Sequence, residues 1–257
     1  MVLVVGFRAA LDSIRYCGGA AHRFPCDFVR PVPTEKEAIQ TVIILDPTYE
    51  ILTPISDGGI EELQRIERAG RICYKSEDKI TEDGESAKKF VAMLIKHGHE
   101  AMIEHSSLSV LFRVDRGVSH ELVRHRIASY AQESTRWCNY SNDKFGNAIT
   151  VIKPFYLERG TDEYEIWKNY CLEAEKAYFK LLEIGRTPQE AREVLPTCLK
   201  TEIVMTANYR EWRNFFKLRT ASDVHPQMRE ITVPLLHELQ QKIPVIFDDL
   251  VFMESPK

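Results

Sequence analysis

No CxxC pair occurs among the six cysteines, Cys17, Cys26, Cys73, Cys138, Cys171 and Cys198. Zinc sites and disulfide frameworks are built from clustered cysteines, so this scatter argues against both: reduced thiols and no metal are expected. Long apolar runs are missing too. No stretch approaches the roughly 18 residues of a membrane span, and the opening MVLVV is shorter than the core of a secretory signal. A cytoplasmic protein with no membrane partner is the expectation. Overall positive charge is also absent, since the chain carries a net charge of −4. Domains that bind duplexes are usually basic as a whole, which argues against a nucleic-acid partner. Finally, no repeat, low-complexity tract or linker interrupts residues 41–257, which excludes a solenoid or a string of modules.

What is present is a chain of 257 residues, 44% hydrophobic and 10% aromatic, able to bury a sizeable core. Residues 1–40 lack periodicity and carry the Gly- and Pro-rich stretch CGGAAHRFPCDFVRPVPTEKE, so they read as a poorly ordered extension outside the domain. A strand is expected at TVIILDP, stopped by Pro47, then a helix over 59–72 with Ile60, Leu63, Ile66 and Ala69 on one face. A second helix carries Ala87, Phe90, Val91 and Leu94 and ends at Gly98. Alternation of Leu108, Val110, Phe112 and Val114 predicts a half-buried strand, followed by a short helix through GVSHELVRHR. A long helix starts near Asp162 and Glu165 and runs to Gly185. A short one is capped by Thr187 with Pro188 and Glu190, and Pro196 stops it. A strand over 199–207 leads to Asn208, which caps the helix YREWRNFFKLR with Glu211 at its third position. HPQMREITVPLLHELQQK forms the last long helix. The order of elements predicts one α+β domain over 41–257, with a mixed or antiparallel sheet flanked by helices.

Local charge says more than the total. Residues 113–136 hold five arginines against Asp115, Glu121 and Glu133, while 208–219 hold Arg210, Arg213, Lys217 and Arg219 against Glu211. Two basic islands in an acidic chain suit a pocket for a small anion, although solvated helix faces would look the same. Arg124 falls at a helix end, where the macrodipole favours a cation, so helix termination also accounts for Arg124 and Arg126. Yet guanidinium forks match phosphate oxygens, and Ser129, Ser134 and Arg136 add hydroxyls and a third fork in the following loop.

Arg124-His125-Arg126, Ser129, Ser134 and Arg136 spell RHRxxSxxxxSxR, six fixed residues in thirteen positions, which resembles the signature of the flavin-dependent thymidylate synthases. The similarity continues in order through GHEAMIEH (98–105), HELVRHR (120–126), AREVLP (191–196) and NYREWRNFFKLR (208–219), covering about residues 41–250. What it implies is a homotetramer binding FAD and dUMP between subunits. Such an enzyme methylates the uracil with methylenetetrahydrofolate, and NADPH supplies the reducing equivalents. Carried over by position, Arg124, His125, Arg126, Gln132, Asn208, Tyr209, Arg210, Asn214 and His99 would contact FAD. Glu121, Leu122, Val123, Arg124 and Arg192 would line the dUMP site, with Gln132, Glu133, Ser134, Thr135 and Arg136 forming a loop over the nucleotide. Arg219 occupies the family's catalytic position. An arginine is no base at neutral pH, so its implied role is electrostatic: to stabilise negative charge on the N3/O2 edge of uracil and make carbon 5 more nucleophilic.

Three positions depart from the family pattern, and none removes a charge: Ala101 where Ser or Thr is frequent, Ala131 where Asn is common, and Trp137 where Tyr often follows the last arginine. Two other readings compete. A nucleic-acid-binding module would use the same arginines on an open surface. A cysteine-dependent methyltransferase would use Cys198 in LPTCLK, which resembles the Leu-Pro-rich context of the nucleophile in ordinary thymidylate synthases. Cys198 enters an expected strand with nothing nearby in sequence to lower its pKa, so an inert thiol is expected. Glu104 and His105 are adjacent at a strand entrance, and so point to opposite faces rather than forming an acid/base pair.

Overall fold

Apolar alternation in two nine-residue segments builds the centre of the computed structural model, which describes residues 42–251. Strands β3 (Ser107–Asp115) and β6 (Lys200–Asn208) pair antiparallel along their full length, Val110 opposite Met205 and Phe112 opposite Ile203. Each sends every second side chain inward. Leu108, Val110, Phe112 and Val114 meet Ile203, Met205 and Ala207 in the main core. β2 (Thr48–Ile51) adds to the free edge of β3 and β4 (Ala128–Gln132) to that of β6, so the sheet reads β2–β3–β6–β4 and is antiparallel throughout. A separate parallel pair joins β1 (Ile43–Leu45) to β5 (Thr150–Ile152). The expected mixed or antiparallel sheet is thus an antiparallel sheet plus a detached parallel ribbon.

Helices α1 (Ile60–Ile72), α2 (Glu85–Lys96), α6 (Tyr209–Arg219), α7 (Pro226–Lys242) and α8 (Pro244–Phe247) cover the apolar face. Trp212 of α6 lies edge-on to Phe215 and stacked on Phe216, Phe112 packs tilted against Trp212 and Phe215, and Phe247 sits edge-on to Phe216. Such aromatic pairs add roughly 0.5–1.5 kcal/mol each beyond the area they bury. A second core lies under α4 (Asp162–Glu183), whose stripe Cys171 and Tyr178 meets Tyr140, Ile149, Val151 and Leu199. Among the described residues no helix is long and apolar enough to cross a membrane.

Several local expectations stand. Gly98 has φ +72°, the left-handed conformation that lets the chain turn at the end of α2, with the His99 N–H returning to the Leu94 carbonyl at 2.8 Å. Thr187 and Glu190 cap the single turn α5 (Pro188–Ala191), and Asn208 Oδ1 accepts the Glu211 N–H at 2.9 Å.

Others need correction. The helix expected through Arg126 is α3 (Arg116–Leu122), because the Leu122 carbonyl is taken by the His125 N–H in a closing turn. The long helix α4 starts at Asp162 as expected, and its cap is Thr161, whose hydroxyl accepts the Tyr164 N–H. Residues Glu100–His105 form a 3-10 helix rather than a strand entrance. The loop expected to carry Ser129 is strand β4, and it was illegible because its inward face is only Ala128 and Tyr130, both half-buried. The expected extension, residues 1–40, lies outside the described residues.

Candidate active site

Two helix ends meet beside β4. Asp115 caps α3 by accepting the Val118 N–H at 2.8 Å, and α3 ends at Leu122 pointing its last turn towards the C-terminus of α6. Tyr130 of β4 reaches under the intervening turn, where its hydroxyl lies 2.7 Å from the Leu122 carbonyl and 2.8 Å from that of His125. Burial there pushes the Tyr130 phenol up to about 12, so it stays a donor.

Arg219 is the hub. Its Nε–H donates to His125 Nε2 at 3.0 Å, Nη1 to the Glu121 carboxylate at 3.0 Å and Nη2 to the Glu121 carbonyl at 3.1 Å. Three of its five N–H donors are thereby used by these partners, and two remain for a ligand. Because a guanidinium can only donate, His125 Nε2 must be bare. The imidazole proton therefore sits on Nδ1, which lies 2.9 Å from Glu211 Oε1. Burial and the Arg219 charge hold His125 below the ordinary histidine pKa against the opposing pull of Glu211, so the ring is neutral.

Around this hub the expected residues divide. Arg124, Arg126 and Arg136 are exposed, and among the described residues their side chains make no ion pair or hydrogen bond; Arg136 lies over the exposed Trp137 ring. Arg192 reaches Thr135 Oγ1 at 3.5 Å, which brings the AREVLP segment to the 133–136 loop. Ser134 Oγ accepts the Arg136 N–H at 3.3 Å, and Glu133 is held by Lys200 at 2.9 Å and by the Tyr140 hydroxyl at 3.2 Å. Gln132 Nε2 donates to Ser119 Oγ at 3.0 Å and lies 3.3 Å from Thr201 Oγ1.

The register of β4 sets the spacing of these groups. Ala128 pairs with Ala207 and Gln132 with Ile203, so the 124–126 turn lies beside the β6–α6 junction carrying Asn208, and the 133–136 loop begins about 13 Å further along the sheet.

Some carried-over contacts are not available as side chains. Tyr209 is fully buried, its ring against Phe247 and its hydroxyl without a partner among the described residues. Leu122 is in the main core, and His125 has both ring nitrogens engaged. Only backbone atoms of Tyr209 and Leu122 could meet a ligand, because their side chains supply the apolar seal beneath the site. Asn208 is committed to its cap and Asn214 lies 3.3 Å from Glu211. Val123 is exposed, while His99 is exposed beside His97, next to the 3-10 helix.

The second basic island dissolves in three dimensions. Arg210 pairs with Glu104 at 2.5 Å, and Lys217 lies 3.7 Å from Glu100. Arg213, only 2% exposed, binds Asp249, Glu100 and the Ile246 carbonyl. Its acidic partners come from over 30 residues away, so a local count could not see them. Of this island's cations only Arg219 reaches Glu121 and His125. Cys198 is also corrected: its Sγ lies 3.6 Å from that of buried Cys171, and this contact draws Cys198 below the usual thiol range while raising Cys171. Both belong to the second core. Sequence reading missed Glu211, Tyr130 and Lys200 as supports. Glu211 was legible only as a helix-start residue, yet its carboxylate turns to His125.

A family model described as thymidylate synthase complementing protein matches residues 60–245. Among curated relatives, the flavin-dependent thymidylate synthase of Corynebacterium aurimucosum is 32% identical over 210 residues, spanning 76% of this chain and 82% of that protein. That of Pyrococcus abyssi is 32% identical over 187 residues, spanning 70% and 75%. A crystal structure of the UMP/dUMP methylase PolB from Streptomyces cacaoi, bound with 5-Br dUMP, shares the fold. Its TM-score is 0.66 at 20% identity, covering 80% of this chain and 96% of that one. The chain belongs to the flavin-dependent thymidylate synthases, a family of enzymes.

Proposed function

We propose that this enzyme converts dUMP to dTMP in the cytoplasm, taking the carbon from methylenetetrahydrofolate and reducing equivalents from NADPH through FAD, as a homotetramer with sites between subunits. The observation that carries this reading is Arg219, held by three bonds with two donors to spare and bonded to His125, whose chain neighbours Arg124 and Arg126 have side chains without a partner among the described residues.

The donor set fits FAD and a nucleotide monophosphate. In a chain of net charge −4, Arg124, Arg126 and Arg136 are left without acidic partners among the described residues, which suits ligands that bring their own negative charge. Arg124 and Arg126 would hold the flavin pyrophosphate beside Asn208; Arg136, Ser134 and Arg192 would hold the dUMP phosphate. FAD, when bound, would supply hydride transfer to the pyrimidine. The chain's own contribution is charge and orientation. Arg219 would direct its free N–H groups at the N3/O2 edge of uracil and stabilise there the negative charge that makes carbon 5 nucleophilic. Glu121 offsets part of the Arg219 charge and holds its two terminal nitrogens. A second copy of the chain would enclose the arginines that lie open on a single protomer.

The test is spectroscopic and chemical. Purified protein should show flavin bands near about 370 and 450 nm, and should form dTMP when given dUMP, methylenetetrahydrofolate and NADPH. A colourless protein that binds oligonucleotides more tightly than dUMP would instead point to nucleic-acid binding.

A further inference from the structure

Glu211 is a buried carboxylate with no assigned task. It is 6% exposed, lies on the first turn of α6, and yet its side chain does not return to the helix start as a capping residue would. Oε1 accepts the His125 Nδ1 proton at 2.9 Å, and Asn214 Nδ2 approaches both oxygens, at 3.3 and 3.4 Å. A buried charge is costly unless it is compensated, and here the compensating cation is Arg219, on the far side of the imidazole. The four groups form one line: the Glu211 carboxylate, neutral His125, the Arg219 guanidinium and the Glu121 carboxylate.

The line is directional. Arg219 Nε–H needs a bare Nε2, and a bare Nε2 on a neutral ring requires the proton on Nδ1, which is where Glu211 sits. The other tautomer would set N–H against N–H at 3.0 Å. The ring packs edge-on against Phe215 at 4.9 Å, and its backbone carbonyl lies 2.8 Å from the Tyr130 hydroxyl.

We propose that Glu211 and His125 are positioning residues: Glu211 fixes the His125 tautomer, and the bare Nε2 then sets the plane of the Arg219 guanidinium so that its free donors face the uracil edge. This rests on the reading of Arg219 as the uracil-binding arginine. Neither residue touches substrate through its side chain, so the effect is on geometry rather than on charge at the reacting atoms.

The test compares the wild-type holoenzyme with Glu211→Gln and Glu211→Leu. Nitrogen-15 spectra of ring-labelled histidine report the tautomer directly. Wild type is expected to show a protonated Nδ1 and a bare Nε2 for His125, assigned by its loss in His125→Gln. An Nε2-protonated ring or an imidazolium at neutral pH overturns the proposal. Gln keeps a carbonyl acceptor for Nδ1–H and removes the charge, so it should stay within about threefold of wild type in dUMP affinity and turnover. Leu removes the acceptor and should lose about 10²-fold in turnover, the scale of an ångström-size misplacement, while FAD content and flavin reduction by NADPH hold. Equal losses in Gln and Leu, or none in Leu, overturn it. Should Leu not fold, the wild-type ring spectrum and the Gln variant still decide. Failure of the wild type to make dTMP would instead refute the proposed function.

Discussion

Arg219→Ala removes a side chain with two separable duties, and the structure sets the size of each. On the stability side, three hydrogen bonds go. Glu121 is about a third exposed, so water replaces Arg219 there at little cost. His125 Nε2 is buried and is left without a donor, a loss of about 1–3 kcal/mol. Against a typical total of about 5–15 kcal/mol the protein stays folded. On the chemical side, removing one oriented group from the place where charge develops costs about 10²–10³ in rate, roughly 3–4 kcal/mol. Arg124 and Arg126, proposed to hold the flavin, are untouched. The variant is therefore expected to remain yellow and to be reduced by NADPH, yet to fail at dUMP binding or methylation. Arg219→Lys should fare little better, since a single ammonium cannot span Nε2 of His125 and both Glu121 acceptors. The assay titrates dUMP while following flavin absorbance, then measures dTMP. Normal dUMP binding with wild-type dTMP formation by Arg219→Ala would refute the reasoning.

Arg124→Ala should weaken both FAD and dUMP, because that side chain is proposed to face both; flavin content and dUMP titration read this, and loss of neither removes Arg124 from the site. Cys198→Ser should keep most turnover despite the thiol's lowered pKa, since its neighbour is Cys171 in the second core and no thiolate step is required. A loss of about a thousandfold with flavin still bound would restore the cysteine mechanism. Arg213→Ala should cost about 3 kcal/mol in denaturant unfolding, the low end for breaking a buried pair because Asp249 is half exposed. A change below about 1 kcal/mol would mean that α6 and the chain end after α8 are not joined through this residue. Asp249 is held below the usual carboxylate range by Arg213, so its folded pKa lies under its unfolded one. Its contribution is full above the unfolded value and fades as pH falls through the folded one. The stability gap between wild type and Asp249→Asn should be flat from about pH 5 to 7 and close below about pH 4; a gap that grows on acidification contradicts the pairing.

Legibility followed periodicity. β3 and β6 could be read because every second residue is apolar, and α4 because Tyr164, Cys171, Ala174 and Tyr178 recur at helical spacing. β4 could not, since Ser129, Ala131 and Gln132 are exposed on an edge and carry no buried stripe. β2 and β5 were missed for their length, four and three residues, too short for alternation to show. The site was legible as a motif, six residues in a fixed spacing, but not as a map of side-chain directions. Tyr209 and Leu122 lie within matching segments and still point into the core.

By itself the sequence determined the alternation that makes the sheet, the caps at Asn208 and Thr187, the chain reversal at Gly98, and the spacing RHRxxSxxxxSxR that marks the family. Each of these depends on residues within one or two turns of one another, where stereochemistry alone decides. The tertiary structure decided which charges are free. Arg213, Arg210 and Arg124 look alike in sequence, but two meet carboxylates contributed by distant segments and one does not. It also decided the protonation of His125, because only the approach of Arg219 from 94 residues away fixes which ring nitrogen is bare. Coulombic and hydrogen-bond partners are chosen by proximity in space, and proximity between distant segments exists only once the chain has folded.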